Sequence, residues 1–187
     1  MSVLNKIIGD LIEEGIAARA HFQVWWALRS LALPKYYDVM NQPDYVDFFH
    51  ASNAAHYKMF FVALGNIYDR DDNASGIQSL RRVLDEEGYG LLKDFVEVKL
   101  FPNVVLVKKA KNIRNMSVAH RPTPQLRKDV YNSNDVTPNQ LRDLIDNTCA
   151  AINYVAGSLG ISNLIFEGNR LEDATIKMLR RLEGRET

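Results

Sequence analysis

The chain has 187 residues, 47% hydrophobic and 25% charged, with equal numbers of basic and acidic side chains. These values are typical of a globular protein with one substantial core, so we expect a single domain over residues 1–187. The sequence has no apolar run long enough to span a membrane, and acidic residues interrupt the stretch where a signal peptide would be apolar. Composition therefore disfavours a membrane or secreted protein and favours a cytoplasmic one.

Neither the single cysteine nor the main carboxylate cluster has the pattern of a metal site. Cys149 cannot form an internal disulfide and has no Cys or His nearby at metal-ligand spacing. The acidic turn at 68–76 resembles a calcium loop only superficially, because Ala74 and Leu80 stand where an EF-hand needs Gly and Glu. We therefore predict a buried thiol, no metal ligands and no cofactor.

Two long helices are predicted in the N-terminal third. Ser2 is a good cap for a helix over residues 2–32, which should end before Pro34. Pro43 suits the first position of a second helix, whose apolar positions continue to Ile67 and which closes at Tyr68. The connection between them has room for one helical turn.

Shorter helices follow, separated by clear breaks. Ser75 and Gln78 have the spacing of a capping box and predict a helix that ends near Glu87. The next helix should begin near Leu91, bend or restart at Pro102, and continue to His120.

The C-terminal third contains the strongest helix start. Thr137 is followed by proline at the first helical position and glutamine at the third, and this helix should end near Leu159. A last helix is predicted over 170–183. Since no strand-like alternation stands out, we predict an all-α fold, an irregular helical bundle of about six helices. Its core should lie at about 45–158, with 2–32 and 170–183 as additions.

Histidines on the predicted helices receive a structural interpretation. His21 has no second ligand-type residue at helical spacing, which disfavours a metal site. Asn53 and His56 fall on an apolar stripe, where polar groups are usually hydrogen-bonded core residues, the alternative being the wall of a site. His50 is interpreted in the same way.

Positive charge is concentrated between Val98 and Lys128. This segment contains no Asp or Glu and the following basic residues: Lys99, Lys108, Lys109, Lys111, Arg114, Arg121, Arg127 and Lys128. Because the whole chain is neutral, the remainder carries the balancing negative charge. The segment therefore predicts a localised site for a polyanion.

Arg114, Asn115 and His120 stand together in this segment, in the sequence RNMSVAH. Arginine can hold a phosphate with paired donors, and an imidazole titrates near neutral pH and can move a proton. The spacing alone is weak, because it is expected by chance about once in such a chain. In an unbroken α-helix Arg114 and His120 would also lie about 120° apart, unless the helix loosens or the arginine reaches around.

The run KNIRNMSVAHR resembles the signature of HEPN-domain proteins, in which Arg, a polar residue and a later His form a metal-independent ribonuclease site. The segments FFVALGNIYDR, GIQSLRRVL and VTPNQLRDLIDNTCAAIN resemble the AbiU-type abortive-infection branch of that superfamily. The resemblance covers roughly residues 45–158. It implies an endoribonuclease of the toxin or phage-defence type.

The resemblance also implies roles for individual residues. His120 would be the general base or acid, Arg114 would stabilise charge on the phosphoryl oxygens, and Asn115 would bind the phosphate or orient the histidine. Asp69 is a candidate for the wall of the site. The expected RNA-binding residues are Lys108, Lys109, Lys111 and Arg121. One histidine cannot easily serve both reacting oxygens, and proteins of this kind generally pair, so a homodimer with two motifs in one cleft is implied.

Two other interpretations remain open. In one, the chain is a non-catalytic helical module that binds RNA, a nucleotide or an acidic partner through its basic segment, since lysine-rich helix faces are usually only solvated. In the other, it is a structural or partner-binding subunit of a defence or toxin–antitoxin system. A protein antitoxin or another regulatory partner is consistent with each of these functions.

Overall fold

The computed structural model of the protein describes residues 2–32, 34–119, 133–161 and 168–184. Within these ranges every regular element is a helix, so the predicted all-α fold is confirmed. The α-helices are α1 Val3–Trp26, α2 Tyr37–Met40, α3 Val46–Ile67, α4 Ile77–Glu86, α5 Gly90–Leu100, α6 Val104–Ile113, α7 Pro138–Ser158 and α8 Arg170–Leu182. Three shorter helical turns join or extend them.

Helix α1 lies at the centre of the bundle. Ser2 caps it by accepting a hydrogen bond from the backbone amide of Asn5 at 3.1 Å. After Trp26 the chain continues as a wider π-helical turn, Ala27–Leu31, so the predicted helix is confirmed except for the geometry of its last turn. Leu33 lies outside the described residues. The apolar face of α1 packs mainly against α3 and also against α7.

Helix α3 begins later than predicted. The amides of Tyr45 and Val46 both donate to the carbonyl of Gln42, which makes a turn before the first helical residue. Pro43 lies in that turn, so its predicted place at the first helical position is wrong. The single turn of helix expected in the connection is confirmed as α2.

The predicted capping box of α4 is also wrong. The Ser75 hydroxyl donates to the Asp10 carboxylate at 2.5 Å, so it does not cap the helix. Gly76 is the residue before α4 instead. An added Cβ there would lie 2.8 Å from the carbonyl oxygen of Asp69, so glycine allows the two backbone segments to approach.

Helices α5 and α6 form a nearly continuous rod. The 3₁₀ turn Phe101–Asn103 joins them and contains Pro102, which confirms the predicted interruption. After Ile113 the chain continues as a π-helical turn, Arg114–Ala119. The predicted end of this helix at His120 lies outside the described residues.

The start of α7 is confirmed in detail. Thr137 accepts a hydrogen bond from the Gln140 amide at 3.2 Å, and the Gln140 side chain accepts one from the Thr137 amide at 2.8 Å. The helix ends at Ser158, close to the predicted end, and α8 covers nearly the predicted segment. None of the helices in the described ranges is long and apolar enough to span a bilayer.

Cys149 lies in the main hydrophobic core, where α1, α3, α4 and α7 meet. Its side chain is 2% exposed, which confirms the predicted buried thiol. The sulfur lies 3.6 Å from the carbonyl oxygen of Gly15, and burial raises the pKa of the thiol to about 12. A second, smaller cluster joins the end of α1 to α2, the start of α3, and α8.

Candidate functional site

The basic segment lies along α6 and the π turn that follows, and both pack against α3. Lys108 and Asn115 are exposed, whereas Lys111 and Arg114 are half-buried. The two half-buried cations point towards the C-terminal end of α3.

Gly65 provides a place for the Arg114 side chain. An added Cβ at Gly65 would lie 2.8 Å from both Cδ and Nε of Arg114 and 3.0 Å from Cζ. These distances are shorter than side-chain atoms tolerate, so Arg114 occupies the space that any other residue at position 65 would fill. The guanidinium group is thus held close to the backbone of α3.

A carboxylate follows directly at the end of the same helix. The backbone amide of Asp71 holds the pKa of the Asp69 carboxyl below its ordinary value, and the amide of Arg70 acts in the same direction. The amide nitrogens lie 3.1 and 2.6 Å from the Asp69 oxygen. The positive charges of Lys111 and Arg114 lower the pKa of Asp69 further. The structure therefore brings Asp69 together with two predicted site residues.

Lys111 is surrounded by mixed charges. Burial lowers the pKa of its ammonium group, and the positive charges of Arg70 and Arg114 lower it further, while Asp69 opposes them. Arg70 thus belongs to the same electrostatic cluster, although it is exposed. We call Asp69, Arg70, Lys111 and Arg114 the charged cluster. Its excess positive charge is suited to an anionic group.

A small, mostly apolar pocket lies between α3, α6 and α7 and borders the charged cluster at Lys111. It is lined by Phe61, Leu64, Gly65, Tyr68, Val107, Ala110, Lys111 and Leu144. The Tyr68 hydroxyl lies 2.5 Å from the hydroxyl of Thr148, which itself donates to the carbonyl of Leu144 at 2.6 Å. Burial raises the pKa of Tyr68 to about 12, and the hydrogen bond to Thr148 holds its hydroxyl in place.

The other predicted RNA-binding residues do not join the charged cluster in the described ranges. Lys109 points to another side of α6, where its ammonium group donates to the carbonyl of Asp135 at 3.1 Å. Its neighbour Asn112 is also turned that way and donates to Asn134 at 2.8 Å. His120 and Arg121 lie outside the described residues.

The π turn changes the geometry assumed for the motif. The unbroken α-helix from which Arg114 and His120 were expected to diverge does not continue past Ile113. A π turn is wider than an α turn, is rare, and occurs frequently at functional sites. One of the two conditions stated for the motif, a helix that departs from α geometry, is therefore met between Arg114 and Ala119.

Two of the histidines form a pair that the sequence did not indicate. The Nδ1 atoms of His21 on α1 and His56 on α3 lie 2.8 Å apart, and the ring centroids are 4.9 Å apart. Burial lowers the pKa of both imidazoles, and the charge of His21 lowers that of His56 further. His56 is thus a hydrogen-bonded packing residue, as interpreted. Its partner could not be found from spacing, because the two residues lie on different helices.

Gly65 and Arg70 are the members of the site region that sequence reasoning missed. Gly65 carried a signal, because a glycine inside an apolar helical run costs stability and often marks a close approach. Arg70 lay outside the segment free of acidic residues and offered no comparable signal. In the described ranges, no group of three or more His, Cys, Asp or Glu side chains could hold a metal ion.

The charged cluster can bind an oxyanion at a fixed place. Arg114 offers paired donors, Lys111 a mobile point charge, and Asn115 an exposed amide one residue further along the chain. Asp69 is ionised at neutral pH, as an ordinary carboxyl is, and its negative charge balances part of the positive charge of Lys111 and Arg114. Such an arrangement stabilises negative charge on a phosphoryl group.

Comparison with known protein families identifies a family model that covers most of the chain. The family model HEPN_AbiU2, described as AbiU2, matches residues 4–167. The match includes α1, α3 and the whole basic segment, and it ends before α8 begins. No curated protein and no solved structure matches the chain. The match covers most of the sequence, and we conclude that the chain belongs to the AbiU2 family of HEPN proteins.

Proposed function

We propose that the protein is a metal-independent endoribonuclease of the toxin or phage-defence type. The observation that supports this most is that the Arg114 side chain packs directly against Gly65, beside Lys111 and Asp69. It fixes the first residue of the Arg-Asn-x4-His motif against the fold and surrounds it with charge suited to a phosphate. Membership of the AbiU2 family supports an abortive-infection role.

RNA is a suitable substrate because it carries its own nucleophile. In the proposed reaction a base takes the proton of the 2′-hydroxyl, and the 2′-oxygen attacks the adjacent phosphorus. The bond from phosphorus to the 5′-oxygen breaks, and an acid gives that oxygen a proton. The products are a 2′,3′-cyclic phosphate and a free 5′-hydroxyl. His120 is the proposed proton-transfer residue.

Arg114 and Asn115 would act on the phosphate itself. The guanidinium group stabilises the charge that develops on the non-bridging oxygens, and the Asn115 amide donates to the same group or orients His120. Lys111 and Lys108 would bind neighbouring phosphates, and Asp69 would form the wall that orients the cations. Because each chain supplies one such histidine, we propose a homodimer in which the second motif supplies the partner for the other oxygen.

The decisive test is cleavage of mixed RNA by purified protein in EDTA, next to His120→Ala. We expect the wild type to cut RNA and leave cyclic phosphate ends, and the variant to be inactive. RNA that is bound by both proteins and cut by neither would favour a binding module. Equal cleavage by both proteins would contradict the proposed role of His120.

A further inference from the structure

A continuous stripe of exposed residues runs along the rod of α5 and α6. Its members recur at alternating intervals of three and four, and all of them are exposed: Leu91, Asp94, Val98, Phe101, Val105, Lys108, Asn112 and Asn115. The first half is largely apolar, with exposed fractions of 87% for Leu91, 75% for Val98, 76% for Phe101 and 65% for Val105. We call this set the α5–α6 stripe.

Apolar residues at this spacing normally face a neighbouring helix. The same rod already buries its opposite side in the core, through Val96, Leu100, Ala110 and Ile113. Asn112, near one end of the stripe, donates a hydrogen bond to Asn134. The residues from Leu91 to Val105 form a second, largely apolar face that no part of the described chain covers. Its side chains expose apolar area on the order of 500 Å², a substantial part of the about 800 Å² that each partner contributes to a standard interface.

The charges on the stripe identify what could cover it. Asp94 lies seven residues before Phe101 and Lys108 lies seven residues after it. Val98 lies three residues before Phe101, and Val105 lies four residues after it. The pattern is therefore nearly symmetric about Phe101, with opposite charges at equivalent positions. Such a pattern is complementary to its own copy when that copy runs in the opposite direction.

We infer that the α5–α6 stripe binds a second copy of this chain, antiparallel, about a two-fold axis near Phe101. In this arrangement Asp94 of each chain faces Lys108 of the other, and Val98 faces Val105. A parallel arrangement would place Asp94 against Asp94 and Lys108 against Lys108, and facing like charges are destabilising. Electrostatics thus selects the antiparallel orientation.

This contact is distinct from the proposed catalytic cleft. Arg114 lies 13 residues beyond Phe101, or about 20 Å along the rod at about 1.5 Å per residue. The two Arg114 side chains of an antiparallel pair would therefore lie about 40 Å apart and could not share one phosphate. A protein that uses both contacts forms an assembly larger than a dimer. The inference also stands without ribonuclease activity, since it concerns association alone.

The first test is the mass of the assembly, measured by light scattering at micromolar concentration. Phe101→Asp should lower the mass to about half that of the wild type and leave the helical spectrum unchanged, because the side chain is exposed. Phe48→Asp is the matched control, since Phe48 is 61% exposed on α3, away from the stripe, and should leave the mass unchanged. A monomeric wild type, or a Phe101→Asp variant of unchanged mass, would overturn the inference.

The orientation needs a second test. With a short thiol-to-thiol cross-linker, Phe101→Cys should give a covalent dimer, whereas Leu91→Cys should not, since its two copies would lie about 30 Å apart. Efficient cross-linking through Leu91→Cys would overturn the antiparallel arrangement. Asp94→Lys and Lys108→Asp should each weaken association, and the double variant should restore it. Failure of that rescue would also count against the proposed pairing.

Discussion

The Arg114 side chain lies against Gly65, so closely that no other residue type fits between them without displacing it. This contact joins the proposed catalytic motif to a helix that comes 49 residues earlier in the chain. It also explains a glycine in the middle of an apolar helical run, where alanine would be more stable by about 1 kcal/mol. The cost in helix stability is offset by a fixed position for the guanidinium group.

Gly65→Ala should therefore separate activity from stability. The added methyl group pushes the flexible arginine side chain away, while alanine favours the helix. We expect RNA cleavage to fall on the order of 10- to 100-fold, because small displacements of a catalytic group have effects of this size. Thermal unfolding should occur at the same temperature or a higher one.

Gly9→Ala on α1 is the control for that experiment. Nothing lies within 4 Å of the Cβ that this change would add. Its melting temperature should rise or stay equal, and its cleavage rate should equal that of the wild type. If Gly65→Ala also cleaved RNA at the wild-type rate, the contact with Arg114 would have no role in catalysis.

The structure divides the lysines of the basic segment into two groups. Lys111→Ala should weaken RNA binding and lower the slope of log affinity against log salt by about 0.7 to 1, because one phosphate contact is lost. Lys109→Ala should have a smaller effect, since Lys109 donates to the carbonyl of Asp135 away from the charged cluster. Salt titrations of both variants with the same RNA check this. Equal losses would mean that RNA follows a different face of α6.

His120→Ala should reduce cleavage by about 10²- to 10⁴-fold, the usual contribution of general acid–base catalysis. RNA affinity should change little, because a neutral imidazole adds little to polyanion binding. Arg114→Ala should reduce both. The comparison requires rates at saturating RNA together with binding titrations. A His120→Ala variant that lost affinity as strongly as Arg114→Ala would point to a binding role for the histidine.

The pair of His21 and His56 should make stability depend on acid pH. Burial lowers the pKa of both below the ordinary value of 6.5, so the unfolded chain takes up protons first as the pH falls through 6.5. The free energy of unfolding should therefore decrease below that pH. His56→Asn, whose amide can replace Nδ1 without titrating, should reduce the decrease. Denaturant unfolding at pH 7.5 and 5.5 measures this change in the free energy of unfolding.

His50 is the natural control, because it is exposed on the same helix as His56. His50→Ala should show the same dependence on pH as the wild type. If it flattened the curve as much as His56→Asn, the effect would belong to general histidine titration and not to the pair.

Local signals explain which parts of the fold the sequence could predict. Thr137 and Gln140 satisfy each other's backbone groups within four residues, and Pro102 removes a hydrogen bond from its own helix, so both effects are visible in the sequence. Ser75 has the same local pattern as Thr137, but its hydroxyl donates a hydrogen bond to the Asp10 carboxylate of α1 and does not cap its own helix. The prediction of a capping box at Ser75 therefore failed because a tertiary contact replaced the local one.

The candidate site shows the same division. The order of Arg114, Asn115 and His120 is a property of one short segment, and the sequence displays it. The contact between Arg114 and Gly65 depends on how α3 packs across the rod of α5 and α6. The spacing of residues along the chain does not reveal that packing. The excess charge of the segment was visible, but its division between the two sides of α6 was not.

The reaction of Cys149 with a thiol reagent can report how often the helical bundle opens. It is the single thiol of the sequence, lies in the main core, and has a pKa raised to about 12, so a thiol reagent cannot reach a reactive thiolate in the closed protein. Covalent labelling then proceeds only through molecules in which α1 and α7 have separated. The labelling rate in native buffer therefore measures how often the bundle opens, without any engineered probe.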